Sequence, residues 1–158
     1  MVSSLIQIRR FHPGDEQAFR ELNEAWISHY FAIEDEDRAT LGDPNGYILQ
    51  RGGHIFMAFL DDRPVGSCAL IFLAEGVFEV AKMAVAEEQR GMGIGRQLLE
   101  HAIAEARATG AKKLSLETND KLQPAIRLYE STGFKHLPPD RQNHSAYVRA
   151  NVFMELEL

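Results

Sequence analysis

Between an apolar strand-like run, Val77 to Ala86, and an amphipathic helical run, Gly95 to Thr109, the chain carries Arg90-Gly91-Met92-Gly93-Ile94-Gly95-Arg96. A strand entering a helix through alternate glycines constrains the fold strongly. The glycines lack a Cβ, so the backbone can turn sharply and approach a ligand closely. The first N–H groups of the helix have no intrahelical acceptor and stand at the positive end of its dipole. A turn of this kind cradles anions, and a diphosphate fits it.

Spacing narrows the choice of phosphate loop. A P-loop ends in Gly-Lys-Ser/Thr, whereas Gly95 is followed by Arg96-Gln97. A dinucleotide fingerprint needs a glycine or alanine where Arg96 stands, and its first glycine directly after the strand. A tight turn with no ligand is the remaining alternative.

The surrounding pattern gives the fold class. Leu5 to Phe11 reads as a strand, and Asp15 as the cap of a helix with Ala18, Phe19, Leu22, Ala25 and Trp26 on one face. Asp35 to Leu41 reads as a second helix, and Asp43-Pro44 opens a short one stopping at Gly52-Gly53. His54 to Leu60, Val65 to Leu73 and Val77 to Ala86 form an antiparallel meander. After the Gly95 to Thr109 helix, the strand Lys113 to Thr118 implies a parallel crossover. A helix through Ala125, Ile126 and Tyr129 ends at Gly133, and Tyr147 to Leu158 alternates as a closing strand. The expectation is an α/β (α+β) fold: a mixed, mostly antiparallel sheet with helices on both faces, in one domain over residues 1–158.

Composition bears on partners. Lys plus Arg number 17 against 23 for Asp plus Glu, a net charge of −6, which argues against nucleic acid as the main ligand. Cys68 is the only cysteine, and no two histidines stand at His-x-x-x-His spacing, so neither a disulfide nor a metal site is expected. Met1 to Arg10 lacks a leader pattern, and no apolar run approaches the roughly 20 residues of a membrane span, so the reading is cytoplasmic, with no membrane partner.

Arg90-Gly91-Met92-Gly93-Ile94-Gly95 resembles the Gln/Arg-x-x-Gly-x-Gly/Ala signature of the GNAT acetyltransferases. The resemblance extends upstream through Glu79-Val80-Ala81-Lys82-Met83-Ala84-Val85 and downstream through Ala125-Ile126-Arg127-Leu128-Tyr129-Glu130-Ser131-Thr132-Gly133-Phe134. It implies acetyl-CoA as cosubstrate, with the pyrophosphate on backbone N–H groups of Arg90, Gly91, Met92, Gly93, Ile94, Gly95 and Arg96. It also implies a bulged strand that splays from its parallel neighbour, freeing the amides of Met83 and Val85 for the pantetheine arm. The reading is direct acetyl transfer to a primary amine, with a small molecule or amino acid preferred as acceptor because no extra domain or peptide-reading module is visible. A protein or peptide acceptor, or an acyl-CoA-binding module without activity, is the alternative, and a homodimer is left open.

The resemblance and the chemistry together nominate site residues. An alkylammonium must lose a proton before it attacks, and Glu79 is the candidate base, with an edge-strand glutamate in a salt bridge as the plain alternative. Tyr129, protonated at pH 7, is the candidate acid for the departing thiolate; otherwise it is a core tyrosine with its hydroxyl at the surface. Leu122 stands where many family members carry a cofactor-contacting Asn, so Asn119 either substitutes for it or shapes its own turn. For the acceptor, the resemblance points to the 26–37 region and the 138–147 loop. Trp26, Tyr30 and Glu34 are the candidate contacts for a cation, against core packing and a solvated helix start. Cys68 reads as a buried strand residue.

Overall fold

The computed structural model describes residues 5–142 and 144–158, so Met1–Ser4 of the opening segment and Asn143 of the 138–147 loop lie outside the described residues. Seven strands and four α-helices follow in chain order: β1 (Ile6–Arg10), α1 (Glu16–Tyr30), α2 (Asp35–Gly42), β2 (His54–Leu60), β3 (Arg63–Ala74), β4 (Val77–Val85), α3 (Ile94–Ala108), β5 (Lys113–Thr118), α4 (Gln123–Ser131), β6 (Lys135–His136) and β7 (Val152–Glu157). The sheet order is β1-β2-β3-β4-β5-β7-β6. Among the described residues only β4 and β5 run parallel, as the crossover through α3 requires.

Period-2 alternation sorts the core onto two faces. Phe56, Ala58, Leu70, Phe78, Val80, Leu114 and Leu116 pack with Leu98, Leu99 and Ala102 of α3 and Tyr129 of α4. Ile55, Met57 and Ala69, one residue out of phase, pack with Phe19 and Ile27 of α1 and Leu41 of α2. Glu79 pairs with Ser115 on this second face, beside the register pair Phe78 and Leu114 of the first.

Three expectations are corrected. Asp15 occupies the cap position of α1, but its backbone is already helical and its carboxylate accepts from Arg9 at 2.7 Å and the His12 N–H at 2.8 Å. The short helix after Pro44 is a single π-helical turn, Asn45–Leu49. The closing strand is also shorter than Tyr147 to Leu158: only Val152–Glu157 is strand, because residues 144–151 form a loop whose side chains bind α2 and β4.

Two irregularities in β4 shape the middle of the sheet. Ser67 pairs with Ala84 but Ala69 with Ala81, so Lys82 and Met83 together oppose Cys68 in a β-bulge. Lys82 adopts φ +51, a left-handed conformation that costs a non-glycine residue roughly 1–2 kcal/mol. Strict alternation would put Lys82 with Val80 on the α3 face; the bulge turns it to α2, where its ammonium bonds Asp37 at 2.7 Å. The pairing of β4 with β5 also stops at Glu79 and Ser115, and beyond that point the two strands separate.

Candidate active site

The gap between β4 and β5 ends at the glycine turn. The Ala86 N–H donates to Val65 O on the β3 side, so alternation directs the Val85 N–H, and that of Met83 two residues back, toward the gap. Gly91 (φ +85) and Gly93 (φ +80) hold left-handed conformations, and Gly93 caps α3. Among the described residues the N–H groups of Gly91 through Arg96 have no backbone acceptor. A Cβ at Gly91 or Gly93 would meet open space, whereas one at Gly95 would make ordinary contact with Leu128 and Val85. Glycine is therefore required at 91 and 93 by backbone angle alone. Arg90 donates through Nε to Val85 O at 3.3 Å and lies 4.7 Å over the Trp26 ring, tying the loop to α1. Arg96 reaches Ser131 Oγ at 3.0 Å and ties α3 to α4.

Glu79 and Tyr129 lie on opposite faces of the sheet. Burial, joined by the nearby charge of Glu117 and opposed by Lys82, pushes the Glu79 carboxyl up to about 7. A carboxylate titrating there can take a proton at neutral pH. Tyr129 packs edge to face on Phe134 at 5.9 Å and belongs to the α3-side core. Burial raises its phenol and the neighbouring Cys68 thiol adds to the effect, so Tyr129 keeps its proton across the working range. Cys68, fully buried opposite the bulge, is itself pushed up to about 12 by burial and is not a nucleophile.

Beside Glu79 the structure builds a buried ion cluster that the sequence did not disclose. Asp37, 0% exposed, accepts from Lys82 at 2.7 Å and from both Arg149 Nη atoms at 2.7 Å, and its Oδ2 also takes the Glu34 N–H at 2.9 Å. Burial works to raise the Asp37 carboxyl, but the hydrogen bonds from Arg149 and Lys82 outweigh it and hold it at about 2. Lys82 is shifted down by burial despite Asp37, and it bonds the Tyr147 hydroxyl at 2.9 Å. The Tyr147 ring lies under both cations, 4.7 Å from Lys82 Nζ and 4.5 Å from Arg149 Cζ. The bulge carbonyl, Lys82 O, accepts from Ser67 Oγ at 2.9 Å, and Ser67 in turn accepts from Asn23 of α1 at 3.0 Å.

Two nominated residues, Glu34 and Asn119, are engaged in this framework. Glu34 accepts from the Val148 N–H at 2.9 Å and the Arg149 N–H at 3.4 Å, so its carboxylate fastens the 144–151 loop to α2. Asn119 donates to Arg149 O at 2.7 Å and accepts from the Lys121 N–H at 2.8 Å, which commits both ends of its amide to the protein's own backbone. Trp26 and Tyr30 pack with tilted rings, 5.2 Å between centroids, near the end of α1, both half-buried, with Trp26 occupied by Arg90. A cleft of about 370 Å³, lined by Ser145, Tyr147, Ala150 and Phe153 among others, opens on the Glu117 side. The larger cleft of about 500 Å³, between Gln7, Arg9, Phe59 and Asp62, lies at the β1 edge, away from this chemistry.

A bulged strand, a parallel neighbour that departs from it and a glycine turn feeding a helix coincide with a known family. Residues 11–134 match the Acetyltransferase (GNAT) family. The chain belongs to the GNAT acetyltransferases. An uncharacterized N-acetyltransferase of Schizosaccharomyces pombe is 36% identical over 157 residues, covering 92% of this chain and 90% of the relative. Aminoalkylphosphonate N-acetyltransferase of Salmonella typhimurium is 32% identical, covering 77% of this chain and 73% of the relative. Mycothiol acetyltransferase of Thermobispora bispora is 31% identical over 82% of this chain, which spans only 46% of that protein's length. A GNAT acetyltransferase structure from Staphylococcus aureus superposes with a TM-score of 0.87 at 22% identity, covering 97% and 99% of the two chains. An acetyltransferase from Salmonella typhimurium, solved with acetyl-CoA, gives 0.77 at 21% identity over 98% and 94%. These two show the shared fold.

Proposed function

We propose that the chain transfers an acetyl group from acetyl-CoA directly to a primary amine of a small molecule or amino acid. The observation that carries this reading is the departure of β4 from β5 after Glu79, with the Met83 and Val85 amides facing the opening and the unpaired amides of residues 91–96 at its end. A pantetheine arm can pair with the strand edge as a further strand would, while the diphosphate takes the glycine turn. Support comes also from the neighbour of this fold solved with acetyl-CoA, and from two relatives named for small molecules, mycothiol and aminoalkylphosphonate.

In this reading Glu79 takes a proton from the acceptor's ammonium on the α1/α2 face, and the neutral amine attacks. As the N–C bond forms and the C–S bond breaks, the carbonyl oxygen gathers charge against a strand amide near Met83. Tyr129, on the other face, hydrogen-bonds and protonates the departing thiolate; its raised phenol makes the hydrogen bond the larger part of that role. Trp26 and Tyr30 border the acceptor's approach along α1.

The test is release of free CoA thiol from acetyl-CoA across amino acids, polyamines, aminoglycosides, aminoalkylphosphonates and short peptides, with the acetylated product identified by mass. Product from small amines supports the reading, and product from peptides alone moves the acceptor class to protein. Acetyl-CoA binding with no product from any amine favours a binding module, and no binding at all removes the proposal.

A further inference from the structure

Glu117 was not among the residues nominated from sequence, yet the fold brings it to Glu79. It stands on β5 two residues beyond Ser115, the last partner of β4, and so on the same face as Glu79 at the mouth of the gap. Its own side chain is fixed: Ser145 Oγ, in the loop packed over this face, donates to Glu117 Oε1 at 2.8 Å. That bond favours the ionised form of Glu117. The cations nearby are turned elsewhere, since Lys82 bonds Asp37 and Tyr147, and Arg149 bonds Asp37 and Glu34.

We propose that Glu117, held by Ser145, is the positioning residue of the base: it presents a fixed negative charge to Glu79 and strengthens that carboxylate's hold on the amine's proton. The inference rests on the acetyl-transfer reading for its catalytic meaning and on the fold alone for its electrostatics. The groups that act on Glu79 are Glu117 from β5 and Lys82 from β4, with Tyr147 from the loop nearby and Asp37 and Arg149 behind Lys82; on the same face Lys113 of β5 and Glu155 of β7 pair with each other at 3.2 Å. Of these, Lys82 pulls Glu79 toward ionisation, and Glu117 is the carboxylate that opposes it. Glu117 is itself raised by burial, with the Ser145 bond acting against the rise.

The test is Glu117→Gln, which keeps the shape and an acceptor for Ser145 while removing the charge. Carboxyl NMR titration, with the Glu79 resonance assigned by its loss in Glu79→Gln, follows the group without any need for activity. The Glu79 midpoint near 7 is expected to fall by about half a pH unit or more in Glu117→Gln. The acid limb of kcat/KM should move down with it, the kcat plateau above that limb should fall by up to about twofold because the base is weaker, and KM for acetyl-CoA should stay unchanged. Glu117→Thr, a strand-forming replacement, supplies the same comparison if the Gln variant does not fold. A Glu79 midpoint unmoved when the charge is removed overturns the proposal. A shifted midpoint in a protein that acetylates no amine retains the electrostatic pairing and removes the transfer reading instead.

Discussion

Replacing Asp37 by Asn should cost more stability than any other single polar substitution in the site. The carboxylate is 0% exposed and receives Lys82, 5% exposed, and Arg149 at 2.7 Å each, so its loss leaves two largely desolvated cations facing an amide. A carboxyl held at about 2 in the fold, against an ordinary 3.8, contributes roughly 2 kcal/mol through its ionisation alone. Removing one member of a buried pair typically costs about 3–5 kcal/mol, so about 3 kcal/mol is expected for Asn, which keeps the size and one acceptor. With a urea slope near 2 kcal/mol/M, the unfolding midpoint at pH 7 should fall by about 1.5 M at unchanged slope. The pH dependence has a definite sign. The folded value is depressed, so the Asp37 contribution is fully present above 3.8 and disappears as pH falls through about 2; the variant's deficit should shrink in that window. Adding Lys82→Met should recover part of the loss by removing an orphaned charge. A deficit below about 1 kcal/mol, or a double variant no more stable than the single one, would refute the buried-cluster argument.

Other substitutions separate fold from site. Gly93→Ala should lose roughly 1–2 kcal/mol because φ is +80, while Gly95→Ala, in ordinary helical space, should be neutral or gain up to about 1 kcal/mol; thermal or urea unfolding distinguishes them. Tyr129→Phe should leave acetyl-CoA affinity within about twofold and lower kcat about tenfold or more, read by steady-state kinetics. Asn119→Ala should destabilise the 144–151 loop by about 1 kcal/mol, through the lost bond to Arg149 O, with little change in acetyl-CoA affinity by calorimetry.

The regular elements were legible because their periods were clear: Leu98, Leu99 and Ala102 mark one helical face, and Phe56, Ala58 and Leu60 alternate out of phase with Ile55, Met57 and Phe59. The glycine turn was legible from residue type and its place between a strand and a helix. The ion cluster beside Glu79 was not. Asp37 lies within an acidic run that reads as a solvated helix start, yet its partner Arg149 is 112 residues away, a distance no local pattern spans. Tyr147 to Asn151 alternates like a strand, but ion pairing of Arg149 and hydrogen bonding of Tyr147 and Ser145 bind it as a loop instead. Lys82 reads as an ordinary strand residue, and only the bulge turns it through the sheet to α2. Glu117 carries no signal in sequence because its proximity to Glu79 depends on where two strands stop pairing.

Backbone amide NMR during acetyl-CoA titration tests the central claim most directly, since the gap between β4 and β5 and the glycine turn are held to form one continuous ligand track. The largest shifts should fall on Met83 and Val85 and on Gly91 through Arg96, with β1 and the β2–β3 hairpin unmoved. Binding that shifts other amides while these stay in place would contradict the account.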